Sequence, residues 1–137
     1  MSTFNRFPLT ITWLILAVFL TGASITRELP EGIAEAFSKG HSRNLARHFN
    51  NNIELVVPDH EDVYSKSQAE LILRGFFSEH KPVKFEYLHK GGKEASRYGI
   101  GSLETEKGDF RIYFLLKVAD GTPLIHLLRI ERAEDSP

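Results

Sequence analysis

Apolar positions along this chain change their period at Pro82. Before it they recur at helical spacing. Ala69, Ile72, Leu73, Phe76 and Phe77 stand at offsets 0, 3, 4, 7 and 8, which is one face of an α-helix. Ser65 and Gln68 precede that stripe at capping-box spacing, where each side chain satisfies a free backbone N–H at the helix start. Further upstream, Leu29-Pro30-Glu31 opens a helix with Ile33, Ala36 and Phe37 on its apolar face. Gly40 interrupts it, Ser42 reads as a new N-cap, and a second segment carries Leu45, Ala46 and Phe49. Asn50-Asn51-Asn52 reads as a stop and turn, Ile53 to Val57 as a short strand, and Pro58 to Tyr64 as a loop.

After Pro82 the period is two. Val83, Phe85 and Tyr87 alternate with Lys84 and Glu86, and Gly91-Gly92 predicts a turn. Tyr98 to Thr105 is a strand with Gly99 and Gly101 on one face, as in a strand that bends or admits a close neighbour. Lys107-Gly108-Asp109 and Asp120-Gly121 are hairpin signals. Between them Phe110, Ile112, Phe114, Leu116 and Val118 form one apolar face, and Arg111, Tyr113, Leu115 and Lys117 the other. Leu124 to Ile130 is the last strand and residues 132–137 are a polar tail. Helices first and a strand meander afterwards predict an α+β domain, a curved antiparallel sheet wrapped on N-terminal helices. Phe76, Phe77, Phe85, Phe110 and Phe114 are its expected core.

The N-terminus follows a different logic. Arg6 supplies a positive charge, Leu9 to Leu20 is apolar except for Thr10 and Thr12, and Thr21, Gly22, Ala23 and Ser24 are small. This is the layout of a secretory signal peptide over residues 1–23, with cleavage expected after Ala23 or, second, after Ser24. An uncleaved anchor is the competing reading, disfavoured because the apolar run falls short of the roughly 20 residues a spanning helix needs. Residues 24–32 then form a short leader and 33–131 a single domain. The expected location is periplasmic or at the outer envelope.

Composition narrows the chemistry. The 137 residues carry 17 basic and 18 acidic side chains, a net charge of −1, so no nucleic-acid footprint is expected. Zero cysteines excludes disulfides, thiolate metal sites, a cysteine nucleophile and an acylated lipoprotein cysteine. No cofactor is expected.

Candidate site residues are few. His89, at a strand end and in alternation with Phe85 and Tyr87, has the residue type of a general base, although a bond to the turn backbone is the plainer role, and Tyr87 on the same face is a candidate pocket residue beside it. Arg111, Tyr113 and Lys117 put a guanidinium, a phenol and an ammonium on one strand face, suited to a carboxylate or phosphate or simply to solvent. Tyr98, facing with Ile100, Ser102 and Glu104, has the residue type of an oxyanion-hole donor. Asp59, His60, Glu61 and Asp62 offer metal-ligand chemistry, but four adjacent residues rarely converge on one ion, and a solvated acidic loop is the simpler reading. His41 and His48 stand two helical turns apart without a third ligand, so no metal site is expected.

The order of elements resembles the nuclear transport factor 2-like, or cystatin-like, superfamily, whose bent sheet wraps helices into a cone that often holds a pocket. The blocks Tyr64-Ser65-Lys66, Ala69 to Leu73, Phe76-Phe77, His89-Lys90-Gly91, Tyr98 to Gly101, Phe110 to Phe114 and Leu127 to Glu131 are similar to the domain-of-unknown-function family 4783 of exported Bacteroidetes-type proteins. That resemblance implies fold and export but brings no activity. The leading expectation is a non-catalytic periplasmic binding domain for a small, partly apolar ligand or an envelope protein. One alternative is an isomerase- or dehydratase-type enzyme with His89 or Tyr98 inside the cone; it lacks an evident carboxylate base, since Glu70 and Glu86 read as solvent-facing. The other alternative is a homodimer that buries the sheet face carrying Tyr113 and Leu115.

Overall fold

The computed structural model describes residues 29–136. The expected signal peptide and most of the expected leader lie outside the described residues. Helix α1 (Glu31–Lys39) follows Pro30 and ends at Gly40, whose φ of 65° lets its N–H turn back onto the last carbonyls. Ile33, Ala36 and Phe37 are its buried face, as expected. Leu29, just before the helix, is also buried. Helix α2 (Ser42–Ala46) is a short piece with His41 at its N-cap, one residue before the expected cap.

Phe49 does not continue that helix. It starts β1 (Phe49–Val57), which runs through Asn50-Asn51-Asn52 instead of turning there. The pull is tertiary, because Phe49 pairs with Ile125 and is buried. The chain then reverses at Pro58-Asp59 into β2 (His60–Ser65), where a loop was expected. β2 is an edge strand, mostly exposed, so it carries none of the apolar alternation that announces a strand.

Helix α3 (Lys66–Glu79) begins with the predicted capping box. Ser65 Oγ accepts the Gln68 N–H at 3.3 Å and Gln68 Oε1 accepts the Ser65 N–H at 3.1 Å. The stripe Ala69, Leu73, Phe76 and Phe77 is buried. Four long strands follow: β3 (Pro82–Lys93), β4 (Ser96–Thr105), β5 (Gly108–Ala119) and β6 (Thr122–Arg132). Gly91-Gly92 lies inside β3, and the chain turns at Glu94-Ala95 instead. Asp120 and Gly121, both at positive φ, form the expected tight hairpin. The tail adds a 3-10 turn at Ala133–Asp135.

The six strands lie in the order β2-β1-β6-β5-β4-β3. All neighbours are antiparallel except β1 and β6, which run parallel and close the chain's first strand onto its last. The helices cover one face. Phe37 stacks on Phe85 with ring centroids 5.1 Å apart and meets Phe77 and Phe114 at 6.4 Å. The predicted glycines make room for those rings. A Cβ on Gly99 would stand 2.6 Å from the Phe114 ring, and one on Gly101 would collide with Phe85. Phe37, Phe49, Phe110 and Phe114 are fully buried, so the cone interior is filled by aromatic packing.

Candidate functional site

Among the described residues, no layer covers the opposite face of the sheet. Its residues are fixed by strand register, because side chains directly opposite one another share a face. One row crosses all six strands: Glu61, Val56, Arg129, Tyr113, Ile100 and His89. The next row is Val63, Glu54, Leu127, Leu115, Tyr98 and Gly91. Arg111 and Lys117 flank these rows on β5, opposite Ser102 and Ser96. Most of the central residues are half-buried by their neighbours alone.

His89 reaches this face through a departure from strict alternation. The register shifts between Tyr87 and His89, so Tyr87 lies opposite Gly101 whereas His89 lies opposite Ile100. The extra residue, Leu88, is a bulge that flips the strand's remaining side chains to the other side. The expectation that His89 shares a face with Phe85 and Tyr87 is therefore corrected. His89 Nε2 instead forms a 2.9 Å hydrogen bond with the Tyr98 hydroxyl, and the Tyr98 ring sits 6.2 Å from Tyr113. The Tyr98 ring occupies the space a side chain at Gly91 would fill.

Five of the six predicted residues thus converge: His89, Tyr98, Arg111, Tyr113 and Lys117. Tyr87 does not. It packs on the core side against Phe85 and Phe114, with the Lys90 ammonium 4.4 Å over its ring. Among the described residues its buried hydroxyl has no hydrogen-bond partner, and burial pushes its pKa up to about 12. The isomerase geometry needs His89 or Tyr98 inside the cone, and both lie outside it.

The sequence reading missed His126, which a second bulge, in β6, places near Lys117. Burial, and secondarily the Lys117 charge, hold its pKa below the usual imidazole value. Asp59, His60, Glu61 and Asp62 do not form a loop. Asp59 is in the turn, the other three alternate along β2, and Asp62 accepts the Val63 N–H at 2.7 Å. His41 bonds Asn44, while His48 packs on Gly32 with its pKa lowered by burial and then by Lys66, so the two do not face a common point on one helix. Among the described residues no cluster of three or more metal-ligating side chains occurs.

A second concavity, unannounced by any motif, lies between α3 and the β1–β2 turn. It has a volume of about 350 Å³. Val57, Pro58, Leu71, Ile72 and Phe76 supply its apolar surface, and Gly75 opens it along the helix. Only the solvent exposure of Leu71 in a helix hinted at it.

These elements define an α+β cone of the nuclear transport factor 2-like, or cystatin-like, class. A cystatin-like domain of unknown function from Nostoc punctiforme superposes with a TM-score of 0.59 at 11% identity, covering 74% of this chain and 70% of that one, a likeness of fold alone. The chain belongs to the family described as domain of unknown function DUF4783, whose model matches residues 30–131. It is similar to the DUF4783 protein of Bacteroides fragilis at 32% identity and TM-score 0.73, over 77% of this chain and 100% of that one. The Bacteroides ovatus member is 31% identical with a TM-score of 0.73, over 77% and 96%. No curated protein matches the chain.

Proposed function

We propose that this protein is an exported, non-catalytic binding domain whose working surface is the open sheet face, and that the face docks onto a second copy of itself. The carrying observation is the order of residues along the two central rows. A two-fold axis parallel to the strands, passing between β5 and β6, lays each row over its own reverse. In the first row that sets Arg129 over the Tyr113 ring, Val56 over Ile100 and Glu61 over His89. In the second it sets Leu127 over Leu115, and Glu54 over the Tyr98 hydroxyl. These five pairs are complementary, being cation on ring, apolar on apolar or carboxylate on hydrogen-bond donor, while the sixth sets Val63 over Gly91 at the edge. Glu54, Glu61, Arg111 and Lys117 take part in none of the ion pairs among the described residues, which leaves them available for a partner. Face-to-face sheets cross at about 30°, so the pairs nearest the axis would hold register best.

The expected result in light scattering is twice the chain mass. Leu115→Arg puts a charge at the centre of the patch and should return the single-chain mass with an unchanged circular dichroism spectrum. A wild-type single-chain mass at high protein concentration defeats the proposal. Export is read from Arg6, the apolar run and the small residues to Ser24. Protein recovered from the envelope fraction of an expressing bacterium should begin at Ser24 by mass spectrometry, and recovery of Met1 in the cytoplasm would reject export.

A further inference from the structure

We infer that the groove between α3 and the β1–β2 turn is a binding site for a small amphiphilic amine, a molecule with an aliphatic chain or ring and one cationic nitrogen. This site is independent of the sheet-face reading, since it lies on the helix side of the molecule and shares no residue with the two central rows.

Three observations converge. The first is an unfilled apolar surface. Leu71 is 59% exposed although it faces this concavity, and Ile72 and Phe76 continue the apolar surface beneath it. The second is Gly75. Glycine is a poor residue in the middle of a helix, and here no packing demands it, because a Cβ at this position would meet nothing within 4 Å. The space above the helix backbone is open, and from Leu71 to His80 it runs about 13 Å at roughly 1.5 Å per residue. That length and the volume of about 350 Å³ suit a chain of about eight carbons and fall at the small end of ligand pockets.

The third observation is the charge at the border. Among the described residues, Asp59 and Glu79 line the groove and no lysine or arginine does. Among the described residues neither carboxylate enters an ion pair. A cation seated on the apolar surface would reach them at one end. His60 and His80 complete the wall. His80 is held in place, stacked on Phe76 at 4.7 Å with Nδ1 in a 3.1 Å hydrogen bond to the Phe76 carbonyl, which presents a rigid flat side to the groove. A small ligand is favoured over a peptide because the concavity is bounded within about three helical turns.

The test is an NMR and calorimetric titration of the protein with octylamine, octanol and octanoate. Octylamine should saturate with a dissociation constant near 1 mM, as expected for about nine heavy atoms. Its shift changes should centre on residues 57–60 and 71–80, and octanoate should bind at least about tenfold more weakly. Gly75→Leu, whose Cβ would meet nothing within 4 Å and whose branch would enter the groove, should abolish the binding while Gly75→Ala keeps the fold and most of the affinity. Asp59→Asn and Glu79→Gln should each weaken octylamine about threefold and leave octanol unchanged. Equal binding of octanoate, shifts that map elsewhere, or unchanged binding in Gly75→Leu overturns the inference. So does binding of a leucine- and lysine-containing peptide where octylamine fails, because a protein segment would then be the occupant.

Discussion

The two faces of the sheet are made by the same strands, yet one is complete and the other is not. On β5, Phe110, Ile112, Phe114 and Leu116 are fully buried under the helices, while their alternating neighbours Arg111, Tyr113 and Leu115 are only half-covered. The inner face is crowded enough that glycines at 99 and 101 are needed to admit aromatic rings. The outer face is apolar at its centre and charged at its flanks, with a single glycine slot where the Tyr98 ring lies over Gly91 and, among the described residues, no covering layer. Folding free energy is therefore concentrated on one side, which leaves the other side free to serve contacts outside the domain.

The sharpest way to break this contrast is to truncate adjacent residues. Phe114→Ala should destabilise the fold by about 3–5 kcal/mol, because it removes a fully buried ring and leaves a cavity beside Phe37 and Gly99. Leu115→Ala, one position on, should cost less than about 1 kcal/mol in the isolated chain. Denaturant melts of the two variants measure the difference, and similar losses would mean that the outer face also holds the fold together.

A smaller effect sharpens the comparison at Tyr87, the predicted site residue that the fold assigned to the inner side. Its hydroxyl is buried and its folded-state pKa stands at about 12, above the ordinary value of 10.0. The unfolded chain therefore loses this proton first as pH rises. Stability from this group is intact below the ordinary value and falls as pH climbs through about 12. Tyr87→Phe should melt at nearly the wild-type temperature near neutral pH, because the lost hydroxyl has no partner, and should show a flatter decline between those two values. An unchanged alkaline decline in thermal melts would place that titration elsewhere.

Much of the fold was legible because local signals agreed with it. The capping box, the apolar stripe of α3, the glycines of β4 and both hairpin turns stand where their residue types predict. Two of the misses share one cause. β1 through Asn50-Asn51-Asn52 and the exposed β2 are strands because of their partners, and nothing in their own pattern says so. The candidate site was half legible. Arg111, Tyr113 and Lys117 could be grouped by simple alternation within one strand, whereas His89 joined them only through the bulge at Leu88. The groove beside Gly75 was invisible, since it lies between segments whose proximity no local pattern encodes.

The sequence by itself determined the α+β class, the absence of thiol chemistry, and the alternation that separates a core face from an open one. Periodicity and composition are local properties, and local physics reads them. The tertiary structure alone decided that the first strand pairs parallel with the last, that His89 faces outward with Tyr98 while Tyr87 faces inward, and that the cone is filled. Those outcomes depend on which distant residues meet and in what register, and a shift of one residue sends every later side chain to the opposite face.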